Sequence, residues 1–316
     1  MHRIPKLLLS GLVGVALSGT AGAFPTKPVT VIVPFAAGGG TDIIARTLQG
    51  PMAKALGGDI VVKNTAGAGG TVGAAETAAA RPDGYTHGLL PVGPLTTQTN
   101  LRKLPYGIES FEYLCRVYSA PTVIAARKDA PYNNLKELFA WAKQNPGKLN
   151  FALPGIGSIP HVAGLAVAQA GGFKMEYLPL KGDAPSLKSL LDGTAQLFNP
   201  ATAFFTANAE QLKAIVLLTD ERLDDIKGVA TAKEQGFDIV LPIWGGLVVP
   251  KGTPAAARAK LEGACKAGVE SAPYREHMEK LRQPVAFQDG AAFGKFVAQQ
   301  YATNKKLLSE AGLKPQ

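Results

Sequence analysis

The segment Pro34-Phe35-Ala36-Ala37-Gly38-Gly39-Gly40-Thr41-Asp42 joins a β-branched run to a stretch with helical spacing. Three successive glycines let the backbone come close to a bound group. Thr41 or Asp42 can cap the helix that follows, and the unpaired amides and positive end of such a helix attract an anion. Gly155-Ile156-Gly157-Ser158-Ile159-Pro160-His161 repeats the arrangement in the middle third, with Ser158 as cap and hydroxyl donor. A third junction is Leu180-Lys181-Gly182-Asp183. Two anion-friendly helix starts, one from each half, point to a carboxylate gripped between lobes. Gly38, Gly39, Gly40 and Thr41 would meet it from one side, and Gly155, Gly157 and Ser158 from the other. The plainer reading is three ordinary strand-to-helix turns.

Side chains near these loops have mainly structural readings. Asp42 and Arg46 are four apart and pair on one helix face. His161, in a first helical turn beside an amide-rich loop, reads as structural before it reads as a base. Lys181 can add positive charge, although a solvated loop lysine is the simpler case. Other chemistries fail on the letters. A phosphate loop needs Gly-Lys-Ser/Thr, and Thr41-Asp42 follows Gly40. A dinucleotide fingerprint needs a third glycine where Ile43 stands. A hydrolase elbow needs Gly-x-Ser-x-Gly, which Gly157-Ser158-Ile159 does not supply. No metal site follows from two distant cysteines and four scattered histidines, and no cofactor is expected.

The elements that must position these loops read as repeated strand–loop–helix units. Val29–Val33, Ile60–Val62 and Tyr85–Leu90 are strands, with helices over Thr41–Leu56 and Thr71–Ala80. The pattern restarts with strands at Val123–Ala126, Leu149–Ala152, Met175–Leu178, Ala195–Phe198 and Lys213–Leu218, and helices at Asn134–Gln144, through Gln169, and at Ala184–Leu191. After the strand Leu247–Val249, Thr253 caps a helix with Pro254 in its first turn, and the last 60 or so residues look helical. The order predicts an α/β protein with mostly parallel sheet. No linker separates two halves, so two lobes must share crossover strands.

The chain has 316 residues, 46% of them apolar and 18% charged, enough for one or two large cores. Arg3 and Lys6, the apolar Leu7–Leu17 and Ala21-Gly22-Ala23 have the layout of a secretory leader cleaved after Ala23. The net charge is +9, and +7 once the leader's Arg3 and Lys6 are removed, a balance that suits anionic ligands through the general field or serves solubility alone. Nucleic acid is a poor partner, since no basic run exceeds two residues. Cys115 and Cys265 each sit in an apolar context, which favours two buried thiols, although export permits a bridge.

The segments PFAAGGGTDIIAR, NTAGAGGTVGA, RPDGYT, LPYG, PGKLNFALPGIGSIPHVAG, LPLKGDAPSL and WGGLVVPKGTP occur in order over residues 24–316. Together they resemble the tripartite tricarboxylate transporter receptors, the Bug-type periplasmic solute-binding proteins. The resemblance implies a two-lobed Venus flytrap with crossover hinge strands: leader 1–23, first domain 24–120 and 245–316, second domain 121–244. It implies a small organic carboxylate in the cleft, held at Phe35–Asp42 (Phe35 and Ala36 included) and Gly155–His161. It further implies a monomer that is no enzyme, in the periplasm, serving a permease of one large and one small integral subunit. Two other roles stay open: an exported enzyme using Ser158, His161 or Lys181, and a sensor. Ala37, Leu153-Pro154 and Leu180 depart from the family's usual Pro, Gly-Ser and Tyr. A leucine there makes that wall less polar, which suits a larger or aromatic carboxylate.

Overall fold

The computed structural model describes residues 24–180, 183–281, 283–310 and 312–313. The expected leader, and Lys181 in the third junction, lie outside the described residues. Strand β1 (Val29–Val33) leads through the first glycine loop into helix α1 (Gly40–Leu56). Then follow β2 (Ile60–Asn64), α2 (Thr71–Ala79), β3 (Thr86–Pro91), a π-helical turn at Gly93–Thr97, the short α3 (Gln98–Leu101) and the ten-residue β4 (Phe111–Ala120). The second lobe holds β5 (Val123–Arg127), α4 (Leu135–Gln144), β6 (Asn150–Leu153), α5 (Ile159–Gly171), β7 (Glu176–Pro179), α6 (Asp183–Leu191), β8 (Leu197–Phe198), α7 (Thr202–Ala207) and β9 (Leu212–Leu217). The chain returns through β10 (Ile243–Pro250), α8 (Ala255–Glu270), α9 (Ala272–Lys280), β11 (Val285–Asp289) and α10 (Gly290–Glu310).

Two sheets result, ordered β11-β4-β10-β3-β1-β2 and β7-β6-β8-β5-β9. Both are mixed, which corrects the mostly parallel expectation. β1 pairs in parallel with β2 and β3, but β10 runs antiparallel to both β3 and β4, and β5 is antiparallel to β8 and β9. The antiparallel pairings come from segments that enter or leave a lobe, where no helical crossover reverses the chain. Between β4 and β5 the chain passes from one sheet to the other, and it comes back between β9 and β10. The two passages lie side by side: Thr122 Oγ1 donates to the Leu241 carbonyl at 2.8 Å, and the Leu218 amide donates to the Thr122 carbonyl.

Helices cover the sheets because their apolar stripes match. Ile44, Leu48, Met52 and Leu56 of α1 are buried against the first sheet, α8 and α9. The helix runs through Pro51, which forfeits one backbone bond. Gly245 and Gly246 in β10 are needed for close packing. A Cβ on Gly245 would stand 2.5 Å from the Tyr118 ring, and one on Gly246 2.4 Å from the Cys115 carbonyl and from Phe293 of α10. Three local expectations are corrected. Pro254 itself is the cap residue of α8, while Thr253 Oγ1 donates to the Pro250 carbonyl. The C-terminal region includes strand β11, held at the sheet edge by β4. Cys115 and Cys265 form a disulfide joining β4 to α8, with Cα atoms 6.5 Å apart, because burial on facing surfaces of the first-lobe core brings the two together.

Candidate carboxylate site

Helix α1 starts without a side-chain cap. Its cap residue is Gly39, in extended conformation (φ −78°, ψ 165°), so neither Thr41 nor Asp42 fills that position. The first amides of a helix have no partner within it. Here those of Gly40, Thr41 and Asp42 find none elsewhere among the described residues, and neither do those of Ala36 and Ala37. The loop is exposed from Ala36 to Gly40. The Gly38 and Gly39 amides are spent inside it: Gly38 donates to Asp42 Oδ2 at 2.8 Å and Gly39 to the Ala36 carbonyl at 3.4 Å. The seat offered by this loop is therefore the start of α1 itself.

Asp42 is the loop's anchor. Its buried carboxylate accepts from Gly38 N–H, from Arg46 Nε at 3.0 Å and from Asn64 Nδ2 at 2.9 Å. The Arg46 hydrogen bond, offset in part by desolvation and reinforced by Gly38 and Asn64, lowers its pKa to about 2. Arg46 also donates to Asn64 Oδ1, and Asn64 Nδ2 to the Phe35 carbonyl. Arg46 is thus committed to Asp42 and Asn64, and the unpaired donors at this seat, among the described residues, are backbone N–H groups. Beneath it, Thr41 neighbours Tyr118, whose buried hydroxyl is pushed up to about 12, with the threonine working against that shift.

In the second loop Ser158 is the cap of α5, as its type predicts. Its Oγ accepts from the His161 amide at 3.4 Å and donates to the Gly155 carbonyl at 2.7 Å. The Gly157 amide donates to His161 Nδ1 at 3.1 Å. An accepting Nδ1 means that a neutral ring carries its proton on Nε2, and burial lowers the His161 pKa to about 4. This histidine is a neutral brace. With the Ser158 amide donating to the Gly155 carbonyl, the loop retains the amides of Gly155 and Ile156 for a guest. In the third junction, burial raises the carboxyl pKa of Asp183 at the start of α6.

Both loops follow the carboxyl ends of strands, β1 and β6, where open α/β sheets place their ligands. They are joined by a string of contacts. A Cβ on Gly70 would lie 3.1 Å from the Phe35 ring, and one on Gly69 3.0 Å from Gln98 Nε2. Gln98 Nε2 in turn donates to the Ile156 carbonyl of the second loop at 3.2 Å. The two glycine loops thus lie on one side of the molecule, at the junction of the lobes. Thr97, Gln98 and Asn64 were missed by the sequence reading. Asn64 had a signal, since it ends a strand beside a Gly-rich segment; Thr97 and Gln98 had none.

The sequence pattern of the tripartite tricarboxylate transporter receptor family matches residues 44–313. The chain belongs to this family. Its members are periplasmic solute-binding receptors rather than enzymes. Protein BugT of Bordetella pertussis is 32% identical over 76% of each chain. The solved structure of the periplasmic binding protein BugD is 35% identical, with a TM-score of 0.78 over 93% of this chain and 100% of that one. MatC of Rhodopseudomonas palustris, solved with bound malate, is 29% identical, with a TM-score of 0.77 over 90% of this chain and all of MatC. The two-lobed α/β fold of this receptor is that of periplasmic binding proteins. No helix among the described residues is long and apolar enough to cross a membrane, and no three described side chains form a metal-binding group.

Proposed function

We propose that this receptor works in the periplasm, binds a small organic carboxylate between its lobes and presents it to a membrane permease of one large and one small subunit. The first domain comprises 24–120 and 245–316 and the second 121–244, with the paired passages near Thr122 and Leu241 as hinge. The observation that carries the reading is the uncapped start of α1, where the amides of Gly40, Thr41 and Asp42 have no partner among the described residues. Hydrogen bonds to a charged group contribute about 1.5–3 kcal/mol each, so a few, after closure and desolvation costs, give binding of about −8 kcal/mol, near micromolar. MatC, whose structure holds malate, supports a small dicarboxylate as the first probe.

Replacing Gly39 tests this directly. Its dihedrals suit any residue, and a Cβ there would meet only the Ala36 carbonyl, at 3.3 Å. Gly39→Asp puts a built-in carboxylate at the cap, where it takes the same amides. Calorimetric titration of the wild type with a panel of mono- and dicarboxylates, malate included, should find a binder. The variant should keep or raise its melting temperature and bind that acid at least roughly tenfold more weakly, equivalent to about 1.4 kcal/mol. Unchanged affinity in a folded variant overturns the assignment of the seat. A wild type that binds no carboxylate overturns the functional reading.

A further inference from the structure

Gln98 is 3% exposed and is reached by both lobes. Its side chain lies against Gly69, in the first lobe, and Gly157, in the second. A Cβ would stand 3.0 Å from Nε2 at Gly69 and 2.6 Å from it at Gly157, and both glycines have positive φ, +70° and +77°. Only a residue without a side chain leaves room for the amide there. Nε2 donates to the Ile156 carbonyl. The neighbouring Thr97 Oγ1 lies within hydrogen-bond reach of the Gly93 and Gly157 carbonyls and shares its one proton between them. Meanwhile Gln98 Oε1 is buried with no hydrogen-bond partner among the described residues. Leaving a buried acceptor unpaired is costly, so this contact holds a cost that parting of the lobes would relieve by letting water reach the oxygen.

The peptide planes on either side of Gly157 are consequently held at both ends. The plane joining Ile156 to Gly157 is held by His161 through its N–H and by Gln98 through its carbonyl. The plane joining Gly157 to Ser158 is held by the Gly155 carbonyl through its N–H and by Thr97 through its own carbonyl. One hold in each pair belongs to the second lobe and the other to the first. We propose that Gln98, assisted by Thr97, is an interlobe latch and the positioning residue for the second glycine loop. It fixes that loop only when the lobes are closed, and its unpaired oxygen keeps the closed form from locking shut. Its consequence for ligand capture rests on the carboxylate reading; the latch itself does not.

The test accordingly uses ligand-free protein. Gln98→Met keeps the volume and removes the donor, Gln98→Glu sets a carboxylate against the Ile156 carbonyl, and Thr97→Val removes the hydroxyl. Hydrogen exchange at the Gly157 and Ser158 amides should speed up by roughly fivefold in Gln98→Met, more in Gln98→Glu and less in Thr97→Val, as expected for losing one hydrogen bond of ordinary strength. Exchange in α4, remote from the latch, should not change, and small-angle scattering should show a larger radius of gyration for Gln98→Glu. Folding is checked by the melting temperature. If Gln98→Met folds and its loop exchange matches wild type, or Gln98→Glu folds with an unchanged radius, the latch is refuted. Uniformly faster exchange in α4 as well would show a general structural role instead and equally refute it.

Discussion

Asp42 shows how a charged side chain would serve the proposed anion site by shaping its loop. Its carboxylate gathers Gly38, Arg46 and Asn64, and so shapes the turn that leaves the start of α1 bare. Its folded pKa, about 2, is below the ordinary 3.8. The stabilisation is therefore complete above about pH 4 and is lost as pH falls through about 2. A shift of that size corresponds to about 2 kcal/mol at most, an upper figure because Arg46 is half-exposed and its contribution is screened. Asp42→Asn should lower unfolding free energy at pH 7 by about 1 kcal/mol and by no more than about 2, and should flatten the acid limb of the stability curve, as measured by urea titration at a series of pH values. A variant as stable as wild type at pH 7 would show that the carboxylate does not hold the loop.

At the scale of elements, the two helix starts differ more than their sequences suggest. Helix α1 begins on glycine and keeps its amides free, whereas α5 begins on Ser158, which caps it, and carries Pro160 in its first turn. The first loop is thus the stronger donor and the second the better braced. Ser158→Ala should remove both the cap and the link to the Gly155 carbonyl, costing about 1 kcal/mol of stability. The same substitution should weaken carboxylate binding only through loosening of the loop, since the hydroxyl donates to Gly155. A thermal melt beside a titration checks this: loss of binding with no loss of stability would mean that the hydroxyl contacts the guest directly.

For the whole molecule, the disulfide ties the returning C-terminal segment to the sheet that the N-terminal half began. Cys115 and Cys265 are 150 residues apart and fully buried. Cross-linking a loop that long restricts the unfolded chain and typically contributes about 2–5 kcal/mol. Cys115→Ser with Cys265→Ser should lower the denaturation midpoint accordingly. Carboxylate affinity should stay the same, because the free donors come from the start of α1 and the loop that leads into α5, and none from α8. Equal midpoints for the oxidised wild type and the double variant would show that packing alone holds α8 in place. The seating of Gln98 against both lobes is the second property of this scale, one that no single element contains.

Much was legible in the letters. β1, the helix over residues 41–56, the glycine loops, the Ser158 cap and the Asp42–Arg46 pair follow from local pattern: β-branched runs, 3.6-residue periodicity and short polar side chains act within a few residues of themselves. The family resemblance was carried by the same short segments in order. What the sequence could not decide was whatever joins distant positions: the division into two mixed sheets, β11, the pairing of Cys115 with Cys265 and the place of Thr97 and Gln98 between the lobes. Nor could it say which amides of a glycine loop remain free, since Gly38 and Gly157 are spent on Asp42 and His161 only once the turn has closed. Local propensity acts along the chain, but an amide's availability and a residue's partner across a cleft are set by what folding packs beside them.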